Sequence, residues 1–170
     1  MYLAKLFLTQ WVALEGRDPI LSGWLYVPLG LLLAYSVATD LAVRKIYDHA
    51  TIPALLYFVA LHAVHPAGAG ILAALGGAAG LLAAGLLVAF LSRGLFGGGD
   101  IKLLAAIGAA LGALGGLAAM TAGFLAAGLL AWPLLLLRRL MPRRVSAAEL
   151  PMAPFFAVGA GAVMLAAWAG

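Results

Sequence analysis

The 170-residue chain contains no cysteine, and only 9% of its residues are charged. The lack of cysteine excludes disulfide frameworks, cysteine-ligated zinc or iron–sulfur sites, and catalysis by a thiol. The scarcity of charge excludes a water-soluble globular domain, in which about a quarter of the residues carry charge. Hydrophobic residues instead make up 66% of the sequence, which leaves no room for a large soluble domain.

Long apolar segments fill most of the chain and predict a membrane protein. A transmembrane helix needs about 20 apolar residues, so a chain of this length can hold about six. Six segments are found, at 24–43, 51–67, 70–91, 101–117, 118–137 and 151–169. We divide 101–137 near Gly115 and Gly116, because one helix would measure about 55 Å against a hydrocarbon core of about 30 Å. The predicted fold is all-α, with six transmembrane helices.

Residues 1–23 are predicted to form a separate segment that lies at the membrane interface. Polar and charged side chains interrupt its apolar residues: Lys5, Gln10, Glu15, Arg17 and Asp18. The remaining apolar run is too short to cross a bilayer. Residues 24–170 are expected to form the membrane-embedded domain.

The distribution of basic residues predicts the orientation of this domain. Eight of the ten lysines and arginines lie in or beside three alternate connections: Arg44, Lys45, Arg93, Lys102, Arg138, Arg139, Arg143 and Arg144. Because basic residues are enriched on the cytoplasmic side of membrane proteins, we expect these connections in the cytoplasm and both termini outside it. This explanation accounts for the net charge of +4, so we predict a multi-pass protein of the cytoplasmic membrane and no nucleic-acid partner.

Glycines recur at intervals of four residues in the middle of the chain, at Gly76 and Gly80 and again at Gly108, Gly112 and Gly116. Small residues at this spacing allow helix backbones to approach one another closely in a membrane. We therefore expect these glycines to pack the bundle rather than to form a functional site.

Two of the six acidic residues, Asp40 and Asp100, lie at ends of apolar segments on the predicted cytoplasmic side. An ionisable side chain at membrane depth costs about 2.5–3.5 kcal/mol on insertion scales, which makes both functional candidates. Each also has a structural explanation, since Asp100 can be the N-cap of a helix and Asp40 can form a solvated ion pair with Arg44. Singly, these explanations are about as good as the functional ones.

Together, the two carboxyl groups suit an aspartic protease. In such an enzyme two carboxyl groups share a proton, so that one accepts a proton from water and the other donates one to the scissile carbonyl. The glycines that precede Asp100 would let the backbone of an extended substrate approach that acid closely.

The segment Gly97 to Leu104, with the sequence GGGDIKLL, resembles the GxGD motif of type IV prepilin peptidases, which are bilayer-embedded aspartic proteases. Asp40 to Ile46 resembles the first catalytic segment of that family, and residues 150–157 resemble the start of its last helix. The resemblance covers about residues 24–170.

The resemblance implies that Asp40 and Asp100 are the catalytic pair and that no metal or organic cofactor takes part. The neighbouring motif residues are expected to bind substrate or to shape the loops: Gly97, Gly98, Gly99, Lys102 and Arg44. Lys102 either steadies the charge of the two acids or extends to the interface, and we favour the interface.

The sequence departs from the family pattern in two places. Tyr47 and Asp48 replace Pro and Asn, which affects the loop after Asp40, whereas Met152 and Ala153 replace Phe and Gly, which we expect to leave the two acids untouched. Asp48 is a rival for the first catalytic acid, but we predict that it is a solvated loop residue. The histidines, His49, His62 and His65, are predicted to be interfacial polar residues without a metal.

The implied function is cleavage of the leader peptide of a pilin-like precursor at the cytoplasmic face, with pilus or secretion assembly machinery as further partners. The chain resembles a minimal, peptidase-only form, like those of tight-adherence pili or archaeal preflagellin peptidases. The cysteine-bearing cytoplasmic insertion of larger members is missing, so no methyltransferase activity is predicted. The alternatives are a small proton- or ion-coupled transporter, for which the sequence has no inverted repeat, and a non-catalytic scaffold.

Overall fold

The computed structural model describes residues 19–65, 70–93, 96–140 and 151–169. Its helices are α1 (Pro19–Val43), α2 (Asp48–Val64), α3 (Ile71–Leu91), α4 (Gly98–Leu140) and α5 (Ala153–Ala169), and the described residues contain no strand, which confirms the all-α class. α1 begins at Pro19 rather than at residue 24, since proline is favoured in the first turn of a helix. The predicted interfacial position of residues 1–18 falls outside the described residues, as do the side chains of the four arginines at 138–144.

The described helices have the composition of a membrane bundle. Gly23–Val43, Ile71–Leu91 and Gly98–Pro133 are long and apolar enough to cross a bilayer, and α2 and α5 are shorter apolar helices. Large apolar side chains more than 60% exposed cover the outside of the bundle, among them Val27, Leu31, Leu72, Phe90, Leu129 and Trp132. So many exposed apolar groups fit lipid and not water. The number of six spans and the outer location of the termini stay predictions.

The chain reverses direction inside α4, at Gly112. This residue has φ 69° and ψ −178°, a non-helical conformation that glycine adopts without a steric penalty. A Cβ atom built on Gly116 would lie 3.1 Å from the Cα atom of Gly108. Residues that far apart in a continuous helix are separated by about 12 Å. The outgoing segment of α4, residues 98–111, and its returning segment, residues 113–140, therefore form an antiparallel pair.

The prediction of two helices in this part of the chain is thus correct, but their boundary is Gly112 and not Gly115 or Gly116. Gly115 and Gly116 already lie in the returning segment. There they face the outgoing segment, because a Cβ atom on Gly115 would lie 3.1 Å from the Cβ atom of Leu111.

A close helix crossing joins α3 to the outgoing segment of α4. A Cβ atom on Gly77 would overlap the carbonyl oxygen of Gly108, and a Cβ atom on Gly108 would overlap that of Gly77. The prediction that Gly76 and Gly80 pack helices together was wrong, because no atom lies within 4 Å of the Cβ position of either. The packed face of α3 is displaced by one residue, to Gly77.

A cluster of three phenylalanine rings brings the start of α4 next to the start of α5. Phe96, Phe124 and Phe156 contact each other with ring centroids 5.4–6.1 Å apart. α5 runs antiparallel to the returning segment of α4, since Gly159 is in backbone contact with Ala119, and Gly123 meets Phe156. The first residues of α4 and α5 therefore lie at the same end of the bundle.

Candidate active site

A cavity of about 570 Å³ opens at the end of the bundle where α1 ends and where α2 and α4 begin. It is lined by residues of three segments: Asp40, Arg44, Lys45, Ile46, Tyr47, Asp48, His49, Gly97, Gly98, Gly99 and Asp100. The structure thus brings Asp40 and Asp100 to one site, together with the three glycines and Arg44. Lys102 adjoins this site through its contact with Asp48.

Asp40 lies in the last turn of α1 and is only 8% exposed. Its Oδ2 atom accepts a hydrogen bond from the backbone N–H of Ala153, over 3.0 Å. The explanation of Asp40 as a solvated partner of Arg44 was wrong, because the carboxylate is buried and bonded to α5 instead. Arg44 itself adopts φ 54°, which ends α1 and turns the chain across the cavity.

Asp100 lies in the first turn of α4, which begins at Gly98 rather than at residue 101. The carbonyl of Gly97 accepts the N–H of Ile101 over 3.3 Å, so the N-cap position belongs to Gly97. The explanation of Asp100 as an N-cap residue was therefore wrong. A carboxylate in the first turn still benefits from the helix dipole.

The glycines before Asp100 differ in how closely they are surrounded. A Cβ atom on Gly97 would lie 2.9 Å from Oδ2 of Asp100, and a Cβ atom on Gly99 would lie 2.9 Å from the Cβ atom of Ile46. The Cβ position of Gly98 has no neighbour within 4 Å. A side chain at the first position would displace the Asp100 carboxylate, one at the third would meet Ile46 and its backbone, and the middle position is open.

Lys102 reaches across the mouth of the cavity to Asp48. Its Nζ atom lies 2.6 Å from Oδ2 of Asp48, and the two side chains are 44% and 55% exposed. The partner of Lys102 is thus Asp48 and neither Asp40 nor Asp100, and the expected position of Lys102 at the membrane interface stays a prediction. Asp48 is solvated, as predicted, but it begins α2 rather than lying in a loop.

The structure separates the histidines that the sequence treated alike. His49 is exposed on the cavity wall, where its Nε2 atom lies 2.8 Å from the hydroxyl of Tyr35. The interfacial position predicted for His62 was wrong, because this residue is 1% exposed and its Nε2–H donates to the carbonyl of Ala110 over 3.0 Å. The turn at Gly112 deprives the preceding carbonyls of helical donors, and His62 supplies one. Among the described residues, no three His, Asp or Glu side chains are grouped so as to hold a metal ion.

Sequence reasoning missed the role of Ala153 at this site. The N–H of Ala153 bonds the carboxylate of Asp40, and the replacement of Phe-Gly by Met152 and Ala153 leaves this backbone donor in place. The contact uses a backbone group, which every residue except proline carries, so side-chain patterns do not reveal it. The only sequence signal was the position of Ala153 at the start of an apolar helix.

Residues 27–136 match the model of the type IV leader peptidase family. No curated protein and no solved structure matches the chain. The matched residues include Asp40, Asp100 and the glycines before Asp100. Since the match covers more than half of the sequence, this chain belongs to the type IV leader peptidase family.

Proposed function

We propose that the protein is a membrane-embedded aspartic endopeptidase that removes the leader peptide of type IV pilin-like precursors, with Asp40 and Asp100 as its catalytic pair. The observation that carries the proposal is that these two acids, distant in sequence, line one cavity in a member of a peptidase family. No metal or organic cofactor is needed for this chemistry.

The proposed reaction is hydrolysis of one peptide bond by an activated water. One carboxylate takes a proton from the water while the resulting hydroxide bonds to the carbonyl carbon, and the other carboxyl group gives its proton to the carbonyl oxygen. The tetrahedral intermediate, which now carries two hydroxyl groups, then collapses. The acid that took the proton from water gives it to the nitrogen, the C–N bond breaks, and the other acid takes back a proton from one hydroxyl as the new carboxyl group forms. Both acids return to their starting states at the end of the cycle.

The surroundings of the two acids suit a peptide substrate. The backbone at Gly97–Gly99 has no side chains that would keep an extended peptide away from Asp100. Exposed basic residues, Arg44 and Lys45, lie at the mouth of the cavity, which supports a cytoplasmic position for the cut under the positive-inside rule. The cleaved product would then enter pilus or secretion-filament assembly, and we propose no methyl transfer.

The test is cleavage of a pilin-like precursor by the purified protein in detergent. We expect Asp40→Asn and Asp100→Asn each to lower kcat/KM by about 10⁴-fold or more, because each removes a group that moves a proton in the transition state. Cleavage of the precursor by the purified protein would also show that transport is not the sole activity of this protein.

Asp48→Asn is the matched control for these two variants, since asparagine can still accept a hydrogen bond from Lys102. We expect it to retain cleavage, because Asp48 is solvated and its partner is Lys102 rather than Asp40 or Asp100. Full activity of either Asp40→Asn or Asp100→Asn would refute the catalytic pair. Loss of activity in Asp48→Asn with an active Asp40→Asn would show that Asp48 is the first acid.

A further inference from the structure

The start of α5 contacts the candidate catalytic centre although α5 lies beyond residues 27–136, which match the family. Ala153 is fully buried, and its N–H donates to Oδ2 of Asp40 over 3.0 Å. The carbonyl of Met152 accepts the N–H of Phe156 over 3.2 Å, so Met152 is the N-cap and Ala153 is the first helical residue. An N–H group at this position has no acceptor within its own helix.

This hydrogen bond makes the two oxygens of Asp40 different. Oδ2 is occupied by the N–H of Ala153, whereas Oδ1 can still accept a proton from water. The N-terminus of α5, a helix of 17 residues, also brings a partial positive charge close to the carboxylate. Charge-assisted hydrogen bonds of this kind are stronger and more directional than neutral ones.

We infer that the N-terminus of α5 is a positioning element of the active site: Ala153 N–H fixes Oδ2 of Asp40, so that Oδ1 removes the proton from the attacking water. Asp40 is then the general base, and Asp100 carries the proton that goes to the carbonyl oxygen. The inference rests on the proposed function and adds to it a role for each acid. Ala153 acts only through Asp40 and does not touch the reacting atoms.

The contact can be measured without any change at residue 153. Met152-Ala153 is the sole Met-Ala pair in the sequence, so protein labelled with ¹³C at methionine carbonyls and ¹⁵N at alanine gives one carbonyl-linked amide signal, that of Ala153. We expect its proton resonance at low field in the unaltered protein and displaced upfield in Asp40→Ala. Asp48→Ala serves as the control and should leave the resonance in place. A resonance that Asp40→Ala does not move would overturn the contact and the inference with it.

The role in catalysis is tested by Ala153→Pro, which removes the N–H. Proline is favoured at the first position of a helix, so α5 can still begin there. We expect kcat for precursor cleavage to fall about 10- to 100-fold, as for loss of a hydrogen bond to a charged group, with KM nearly unchanged. Ile71→Pro is the matched control, because Ile71 is the first residue of α3, follows its N-cap Gly70 and lies away from the cavity; it should keep its activity.

The outcomes separate this inference from the proposed function. Because proline adds atoms at a buried position, the melting temperature of Ala153→Pro in detergent is measured alongside, and kinetics are compared only for folded protein. A folded Ala153→Pro with full kcat, beside an inactive Asp40→Asn, overturns the positioning role and leaves the proposed function intact. An active Asp40→Asn overturns both. If Ala153→Pro does not fold, the amide resonance in Asp40→Ala decides whether the contact exists.

Discussion

At the scale of single residues, the geometry of the GxGD segment follows from what each glycine faces. Gly97 leaves room for the Asp100 carboxylate, and Gly99 leaves room for Ile46 in the segment that joins α1 to α2. A methyl group at residue 97 would push on the acid itself, whereas one at residue 99 would push on backbone that closes the cavity. Gly98 has open space, so its side chain is restricted far less.

Alanine substitutions in this segment should therefore differ in their effect. We expect Gly97→Ala and Gly99→Ala to lower kcat/KM for precursor cleavage by more than about tenfold, because misplacing a reacting group by about 1 Å can cost 100-fold. Gly98→Ala should lose the least activity of the three. The measurement is steady-state cleavage with melting temperatures in detergent; equal losses in all three variants would contradict this reading of the contacts.

At the scale of helices, the reversal at Gly112 depends on a buried polar contact from another helix. The outgoing segment of α4 ends inside an apolar bundle, where its last carbonyls have no water to bond. His62 of α2 donates to one of them, the carbonyl of Ala110. The histidine is thus explained by the turn that it supports and not by chemistry.

His62→Ala should accordingly destabilise the fold. Leaving a buried carbonyl without its donor costs about 1–3 kcal/mol, to which the lost packing of the ring adds. The free energy of unfolding in detergent measures the effect. His49→Ala is the comparison, since this histidine is exposed on the cavity wall, and it should cost less. A His62→Ala protein as stable as His49→Ala would rule out the supporting role.

The crossing of α3 and α4 gives a second test at this scale, in two adjacent glycines. Gly77→Ala should destabilise the protein by about 1–3 kcal/mol or more, because the methyl group would overlap the backbone of Gly108. Gly76→Ala meets open space and removes a flexible residue from a helix, so it should be neutral or stabilising by up to about 1 kcal/mol. Unfolding of both variants in one detergent provides the comparison, and the reverse order would show that α3 presents another face.

At the scale of the whole molecule, the sequence predicts which segments enter the membrane. It does not predict which face of a helix contacts lipid and which contacts protein, because both surroundings are apolar. Apolar runs identify the helices, and acids are rare enough in such runs to identify Asp40 and Asp100. The rotation of α3 about its axis, however, cannot be predicted from its sequence, because apolar residues cover all of its faces. The glycine spacing therefore predicts packing at Gly76, whereas the residue that packs is Gly77. The turn at Gly112 is hidden for the same reason, as no polar residue accompanies it.

Orientation in the membrane is the last property that the sequence predicts, and it decides on which side the precursor is cut. The chain has no cysteine, so single-cysteine variants can be made without altering the protein first. Lys45→Cys, at the mouth of the cavity, should react with a membrane-impermeant maleimide in inside-out vesicles but not in intact cells. Ala67→Cys, between α2 and α3, should show the opposite pattern, since the link without basic residues is expected outside. Labelling of Lys45→Cys in intact cells would place the cavity on the outer side of the membrane. A leader peptide that stays in the cytoplasm could not reach it there. The proposed substrate would then be wrong, even if Asp40 and Asp100 cleave peptides.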